Sequence, residues 1–457
     1  MSQNAAPASP KQPARPVTSS LLGIAPELVK DPLGVFSRLG SLGDVVAMPL
    51  GIATAYLLNK PEYAQHVFAN HKLYGKQIPS YRRMRALIGE GLLVSEGEFW
   101  LKQRRIAQPA FHKARIAGFA QCMVQAAARC ADRWTAQVGQ VIDVAADMTR
   151  MTMQIVCETL LGADAEREGE QAAEAFADLN EATTQRILKM VALPLWVPTA
   201  ENRHYRRSLR QLDAVIYGLI ERRRAAKDQT PDLLSMLLHA RDPETGAGMS
   251  DRQLRDEVAT IMAAGHETTA VALTWTWHLL SQHADVWDRL QHELKTALGG
   301  RLPTMEDVDA LPYTRMVIEE SMRLYPPVYC TTRGLVADDN LDGYHLPARS
   351  MIFVSSWVMH RLPELWTDPL RFDPDRFSPD RRASIPRGAY FPFIAGPRQC
   401  IGNTFAMLEA QLTLATLAQR IRLEAAPGRP PVELAPLMSL RPRGGLAMIP
   451  RQVTTPA

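Results

Sequence analysis

From Ser250 to about Gln282 the chain runs without a proline, and Gly265 is the one strong helix breaker inside that stretch. Ser250-x-x-Gln253 opens it with a capping box, in which the serine and glutamine side chains satisfy backbone N–H groups that a helix start leaves orphaned. At 1.5 Å per residue, roughly 30 helical residues reach about 45 Å, the width of a whole domain. A helix that long has to run through the core, and the rest of the fold has to be built round it. Apolar spacing predicts further helices over 100–112, 116–134, 148–161, 171–191, 203–224 and 231–240.

The remainder reads differently. Two apolar runs over 44–59, broken by Pro49 and Gly51, carry a hairpin signal. A helix over 313–325 is stopped by Pro326-Pro327, and short strands are expected over 328–336 and 344–354, around a turn at Asp342-Gly343. Beyond Met359 the chain is irregular and proline-rich as far as Pro397, and a long loop inside a compact domain is usually functional. A last helix over 404–421 and a hairpin over 441–449 complete a class that is mainly α with a smaller β-rich part. No internal repeat is found.

Composition narrows the function. With 457 residues, 46% hydrophobic and 22% charged, the chain has the make-up of a globular protein, which excludes wholesale disorder and a collagen or disulfide scaffold. No interior linker separates domains, so one domain is expected over 26–450, with a flexible tail over 1–25 and another over 451–457. A net charge of +4, from 52 basic against 48 acidic residues, lacks the excess of a nucleic-acid-binding protein. Five cysteines without a Cys-x-x-Cys spacing argue against a zinc knuckle and fit a reducing cytoplasm. No signal-peptide core and no apolar run of about 20 residues occurs, so no membrane anchor is expected.

The irregular stretch ends in Phe393-Ile394-Ala395-Gly396-Pro397-Arg398-Gln399-Cys400-Ile401-Gly402, directly before the last helix. A lone cysteine is ordinarily a small buried hydrophobe. Here Gly396 and Gly402 let the backbone turn sharply around one sulfur, and the helix N-terminus that follows favours a thiolate. A single thiolate lacks the companion ligands of a zinc or iron–sulfur site, whereas haem iron needs one axial ligand from the protein on that side. Arg398 is suited to a haem propionate.

Phe393-x-x-Gly396-x-Arg398-x-Cys400-x-Gly402 resembles the haem-binding signature of the cytochrome P-450 superfamily. Three further motifs occur in that family's order, and the resemblance spans roughly 26–450. It implies a haem b (iron protoporphyrin IX) lying between the long central helix and the cysteine loop, with iron bound by Cys400. In the middle of that helix stands Ala264-Gly265-His266-Glu267-Thr268-Thr269. A mid-helix threonine ordinarily bonds back to the carbonyl four residues earlier, here Ala264. Gly265, lacking a side chain, is read as leaving room beside the helix for a flat ring, with Ala264 and Thr268 on the same face. The resemblance implies that Thr268 hydrogen-bonds the bound dioxygen and that Glu267 relays protons inward.

Glu320-Ser321-Met322-Arg323 sets carboxylate and guanidinium on one helical face, and the family resemblance joins to them Arg376 from Phe372-Asp373-Pro374-Asp375-Arg376-Phe377, where Asp375 replaces the usual glutamate. This trio is expected to hold the cysteine loop. Trp100 and Arg104 resemble a tryptophan and arginine that approach a haem propionate, and Arg333 and His360 resemble further propionate contacts. By region, Ile78, Tyr81, Met84, Leu87, Leu188, Val191, Ile261, Val328 and Met438 suggest a lipophilic substrate, and most of them serve equally well as core. Tyr81 and Arg82 could receive a carboxylate, so a fatty acid and a terpenoid both remain open. Arg105, Lys113, Arg115, Arg381, Arg382 and Arg387 form either a docking patch for an acidic electron donor or a solvated surface.

The resemblance therefore implies a soluble bacterial haem-thiolate monooxygenase, inserting one oxygen atom into a C–H bond. No flavin or iron–sulfur domain follows Ala457, so electrons are expected from a separate ferredoxin or flavodoxin with its reductase. A peroxygenase or isomerase independent of a partner, and a non-catalytic haem sensor, are the rival readings. Both members of the acid–alcohol pair are present, which counts against the first, and no effector segment is visible for the second.

Overall fold

Asp251–Gln282 is one helix of 32 residues, with Ser250 as its N-cap: Gln253 N–H donates to the serine hydroxyl at 3.3 Å, and Ser250 N–H donates to Gln253 Oε1 at 2.7 Å. The computed structural model describes residues 11–18, 20–162, 166–188, 193–226 and 232–453. The chain falls into two compact units.

The larger unit comprises Pro79–Pro327, Phe372–Arg381 and Ile401–Ala457. Its central helix packs along Val144–Leu161, Pro312–Leu324 and Asn403–Ala418. Most side chains of the central helix are buried, including Trp275 and Trp277, because neighbours surround it on several sides. Buried indole N–H groups need acceptors, and Trp275 donates to Leu440 O at 2.6 Å while Trp134 donates to Asp147 at 2.8 Å. Expected and observed helices agree in order, with shifted ends: 100–112 becomes Gly97–Ala107, 171–191 becomes Glu166–Leu188, and 404–421 becomes Asn403–Ala418.

The expected hairpin over 441–449 does not form. Leu440–Pro442 pairs back with Leu434–Pro436, and Ala447–Gln452 pairs with Ile421–Ala425 in another sheet. Gly444 and Gly445, both at positive φ, turn the chain from one sheet to the other instead of closing a hairpin. Arg451 and Gln452 are paired with Arg422 and Ile421, so the last strand reaches into the stretch expected to be a tail.

The smaller unit takes in residues up to Ile78, Val328–Arg371 and Arg382–Cys400. Its sheet has five strands in the order Val45–Leu50, Ala53–Leu58, Met351–Val354, Thr331–Leu335, Tyr74–Gly75. The first two form the hairpin read from the sequence. The N-terminal tail is shorter than expected: Ala14 N–H donates to Val45 O at 3.0 Å, its carbonyl accepts Ala47 N–H at 2.8 Å, and Ile24 is fully buried. An extended Pro-containing segment can satisfy a sheet edge in this way while lacking any helical or strand periodicity of its own.

Candidate functional site

The central helix carries the acid and the alcohol on consecutive residues, Glu267 and Thr268, about 100° apart round its axis. Glu267 is buried, and its carboxylate is fully engaged: Arg441 reaches Oε1 at 2.6 and 2.8 Å, the Ser439 hydroxyl donates to the same oxygen, and Asn180 donates to Oε2 at 2.7 Å. Burial pushes this carboxyl up, but Arg441, Ser439 and Asn180 outweigh it and hold it below the usual carboxylate range. Thr268 donates its hydroxyl to Ala264 O at 2.8 Å, the back-bond expected of a mid-helix threonine, which leaves the oxygen's lone pairs available. Asn180, Ser439 and Arg441 were not singled out in the sequence. They lie 87, 172 and 174 residues from Glu267, and no local pattern signals them.

Gly265 corrects an expectation. A Cβ there would stand 3.3 Å from Val156 Cγ2, so its missing side chain admits helix Val144–Leu161 rather than a ring. Thr152 seals that contact, donating to His266 O at 2.9 Å. The open stretch is Ala264, exposed in the middle of a helix whose Met262, His266, Glu267 and Thr269 are buried. His266 is buried, and its Nδ1–H donates to Met262 O at 2.7 Å; burial lowers the pKa of its imidazole.

In the smaller unit the cysteine loop closes on itself. Cys400 N–H donates to Phe393 O at 3.0 Å, and Gly396 sits at φ +70°, where a Cβ would lie 2.4 Å from Phe68 O. Glycine is the residue that fits there, and the loop presents Cys400 exposed. Among the described residues no group of three or more His, Cys, Asp or Glu could hold a metal ion. An exposed lone thiol ahead of a helix therefore fits a metal whose remaining ligands come from a macrocycle, which is haem.

Glu320, Arg323 and Arg376 come together as expected. Arg323 binds Glu320 through two bonds of 2.7 Å with both side chains fully buried, Arg376 Nε reaches Glu320 Oε1 at 3.2 Å, and Asp373 N–H donates to that oxygen at 3.0 Å. Asp375 instead faces Arg289, at 2.6 and 2.8 Å.

Trp100 is buried on helix Gly97–Ala107, one turn from Arg104. Arg333 is buried in strand Thr331–Leu335. His360 is fully buried, and its Nε2 accepts Phe391 N–H at 3.2 Å, which supports the segment leading into the cysteine loop. Of the apolar candidates, Leu87 is core and Ile78 is buried with its Cγ2 close to Gly334. Tyr81, Met84 and Ile261 are partly buried against the same core as Leu87, Met438 is partly buried, and Val328 is exposed. Val191 and the side chain of Leu188 lie outside the described residues.

The turn before Trp100 is held by three consecutive residues of the central helix. Arg255 donates to Leu87 O at 2.8 Å, Asp256 accepts Glu90 N–H at 2.9 Å, and Glu257 accepts Leu92 N–H at 3.1 Å. Burial pushes the Glu257 carboxyl up to about 8, the Leu92 N–H pulls it back, and the Asp256 charge adds to the rise.

A mainly helical fold with an exposed cysteine loop directly before a helix defines a haem-thiolate class of protein. The chain matches the Cytochrome P-450 family over residues 12–449 and belongs to that family. It is accordingly a haem-containing monooxygenase. It is 36% identical to Cyclooctat-9-en-7-ol 5-monooxygenase of Streptomyces melanosporofaciens, over 91% of this chain and 92% of that protein. It is also 36% identical to Pentalenene oxygenase of Streptomyces avermitilis, over 89% and 90%. Among solved structures, the cytochrome P-450DA haem domain superposes with a TM-score of 0.89 at 26% identity, covering 98% of this chain and 99% of that one. No described helix is long and apolar enough to cross a membrane.

Proposed function

We propose that this monooxygenase hydroxylates a terpenoid hydrocarbon or alcohol, using electrons from a separate ferredoxin or flavodoxin with its reductase. The observation that carries the substrate class is the pair of relatives whose names specify an alcohol and a hydrocarbon, each aligned with about nine-tenths of this chain. A carboxylate clamp is disfavoured by the exposure of Arg82, since an exposed guanidinium holds an anion weakly.

Bound haem b supplies the iron at which dioxygen is reduced and cleaved. Cys400 would hold its iron through the thiolate, and Arg398, Trp100, Arg104 and Arg333 would serve its propionates, with Phe393 and Gly402 shaping the loop. Ala264 leaves open the helix surface beside Thr268. The Thr268 hydroxyl, donating to Ala264 O, accepts at its lone pairs and passes a proton on when that bond swings. Glu267 resupplies it after its carboxylate, once Arg441 loosens, has taken up a proton from solvent.

Two of the basic residues considered for partner docking are committed internally: Arg105 to Asp242 and Glu244, and Arg381 to Asp373. Lys113 and Arg115 stand exposed and support an acidic partner. The test titrates ferric protein with sesquiterpene and diterpene hydrocarbons and with medium-chain fatty acids, following the haem spin state. A saturable shift with the hydrocarbons is expected, and a shift with acids alone would overturn the substrate class. Thr268→Ala is expected to release peroxide in place of product; full coupling in that variant would remove Thr268 from proton delivery.

A further inference from the structure

Beside Glu267 lies a cavity of about 950 Å³ for which the proposed reaction has no use. One wall is helix Val144–Leu161; the central helix supplies a second through His266, Val271 and Thr274, and residues around strand Leu440–Pro442 a third. Val271 and Thr274 lie within about 40° of Glu267 round the helix axis, whereas Ala264 and Thr268 take no part in the lining. Arg441 stands in the wall between acid and cavity, 2.6 Å from Glu267 and with 34% of its side chain exposed.

The volume is that of a small-molecule site. Ala145, Ala146, Met153 and Leu437 give it an apolar body. Arg441 and Arg443 both line it and offer two guanidinium groups to a carboxylate. The acids of the wall are already occupied: Asp143 accepts the N–H groups of Ala145, Ala146 and Leu446, and Glu158 binds Arg129 and Gln154. Arg443 meets Glu433 in a pair exposed by 65% and 75%, which a ligand can replace at small cost.

We propose that this cavity binds an amphipathic carboxylate, its apolar body against Met153 and Leu437 and its head group on Arg441 and Arg443, and that the bound head group draws Arg441 off Glu267. The cavity is then an effector site acting on the acid of the proton route. The groups facing Glu267 are Asn180, Ser439, Arg441 and His266, whose pKa burial lowers, so losing Arg441 takes away the guanidinium that holds the buried carboxylate low. Such a group takes up a proton near neutral pH.

The test is calorimetric titration of the holoenzyme with dodecanoate at pH 7, in two buffers of different ionisation enthalpy, with the haem spectrum followed in parallel. One equivalent is expected to bind with net proton uptake and without a spin-state change, and dodecanol should bind at least tenfold more weakly. Met153→Trp fills the cavity and Arg443→Glu reverses its charge. Each should weaken binding at least tenfold while leaving turnover without dodecanoate unchanged. Glu267→Gln should retain binding and lose the proton uptake. Absence of binding, equal affinity in both cavity variants, or binding that appears only with a spin-state change would overturn the site. Proton uptake that survives in Glu267→Gln would overturn the coupling. None of these readouts depends on the substrate class.

Discussion

Replacing Glu257 by glutamine tests how burial sets the energetics of the turn that precedes Trp100. Glu257 is 2% exposed and its carboxyl is pushed up to about 8 from an ordinary 4.5, chiefly by burial. A proton is thus held more tightly in the folded protein than in the unfolded chain. The group's contribution is intact below about pH 4.5 and is lost progressively as pH rises through 8, because folding must then either bury a charge or keep a proton that solvent would remove. The interval of 3.5 between 4.5 and about 8, at about 1.4 kcal/mol per pH unit, amounts to about 5 kcal/mol. Glu257→Gln keeps an oxygen for the Leu92 N–H, now 3.1 Å from Oε2, and carries no titratable proton. Urea unfolding of the holoenzyme and of the variant should coincide near pH 4.5. The variant should gain about 3 kcal/mol over the parent by pH 7, and the gap should level off near 5 kcal/mol above pH 8. Two pH–stability curves that run parallel from pH 5 to pH 8 would refute the reasoning, since the difference then cannot come from a proton on this side chain.

Other perturbations reach the remaining parts of the site. Gly396→Ala forces a Cβ to 2.4 Å from Phe68 O at a φ of +70°, so the loop must shift and haem per chain should fall; stoichiometric haem in that variant would contradict the packing. Arg323→Ala leaves Glu320 buried with Arg376 as its remaining cation, and should cost about 3–5 kcal/mol by urea unfolding; a loss under about 1 kcal/mol would show that the pair is not desolvated. Arg441→Gln removes the cation that holds the Glu267 carboxyl low while leaving it buried. The acidic limb of the pH–rate profile for product formation should therefore move to higher pH, and an unmoved limb would separate Glu267 from the rate.

Much of this could be read from one dimension because the causes are local. A capping box, an absence of proline and an apolar pattern specify the helix Asp251–Gln282 within its own residues, and the observed start matches to one residue. The cysteine loop is likewise local: Gly396 and Cys400 lie four residues apart, and the bond from Cys400 N–H to Phe393 O closes within eight. Glu320 and Arg323 share a helical face by spacing alone. The turn from one sheet to the next at Gly444-Gly445 misled, because a glycine pair marks a reversal without saying which strand the chain will join.

What only the tertiary structure decided is the environment of those local pieces. Gly265 reads the same in sequence whether its missing Cβ makes room for a ligand or for Val156, and packing chose Val156. His360 and Arg333 are equally polar in a sequence, and only the fold brings His360 Nε2 to Phe391 N–H. The acid Glu267 is recognisable from its neighbour Thr268, but Asn180, Ser439 and Arg441 reach it across long separations in the chain. Local hydrogen-bonding and steric rules act over a few residues and leave their mark in the order of amino acids. Charge compensation of a buried carboxylate acts through space, and any donor the fold delivers will serve, so it leaves no such mark.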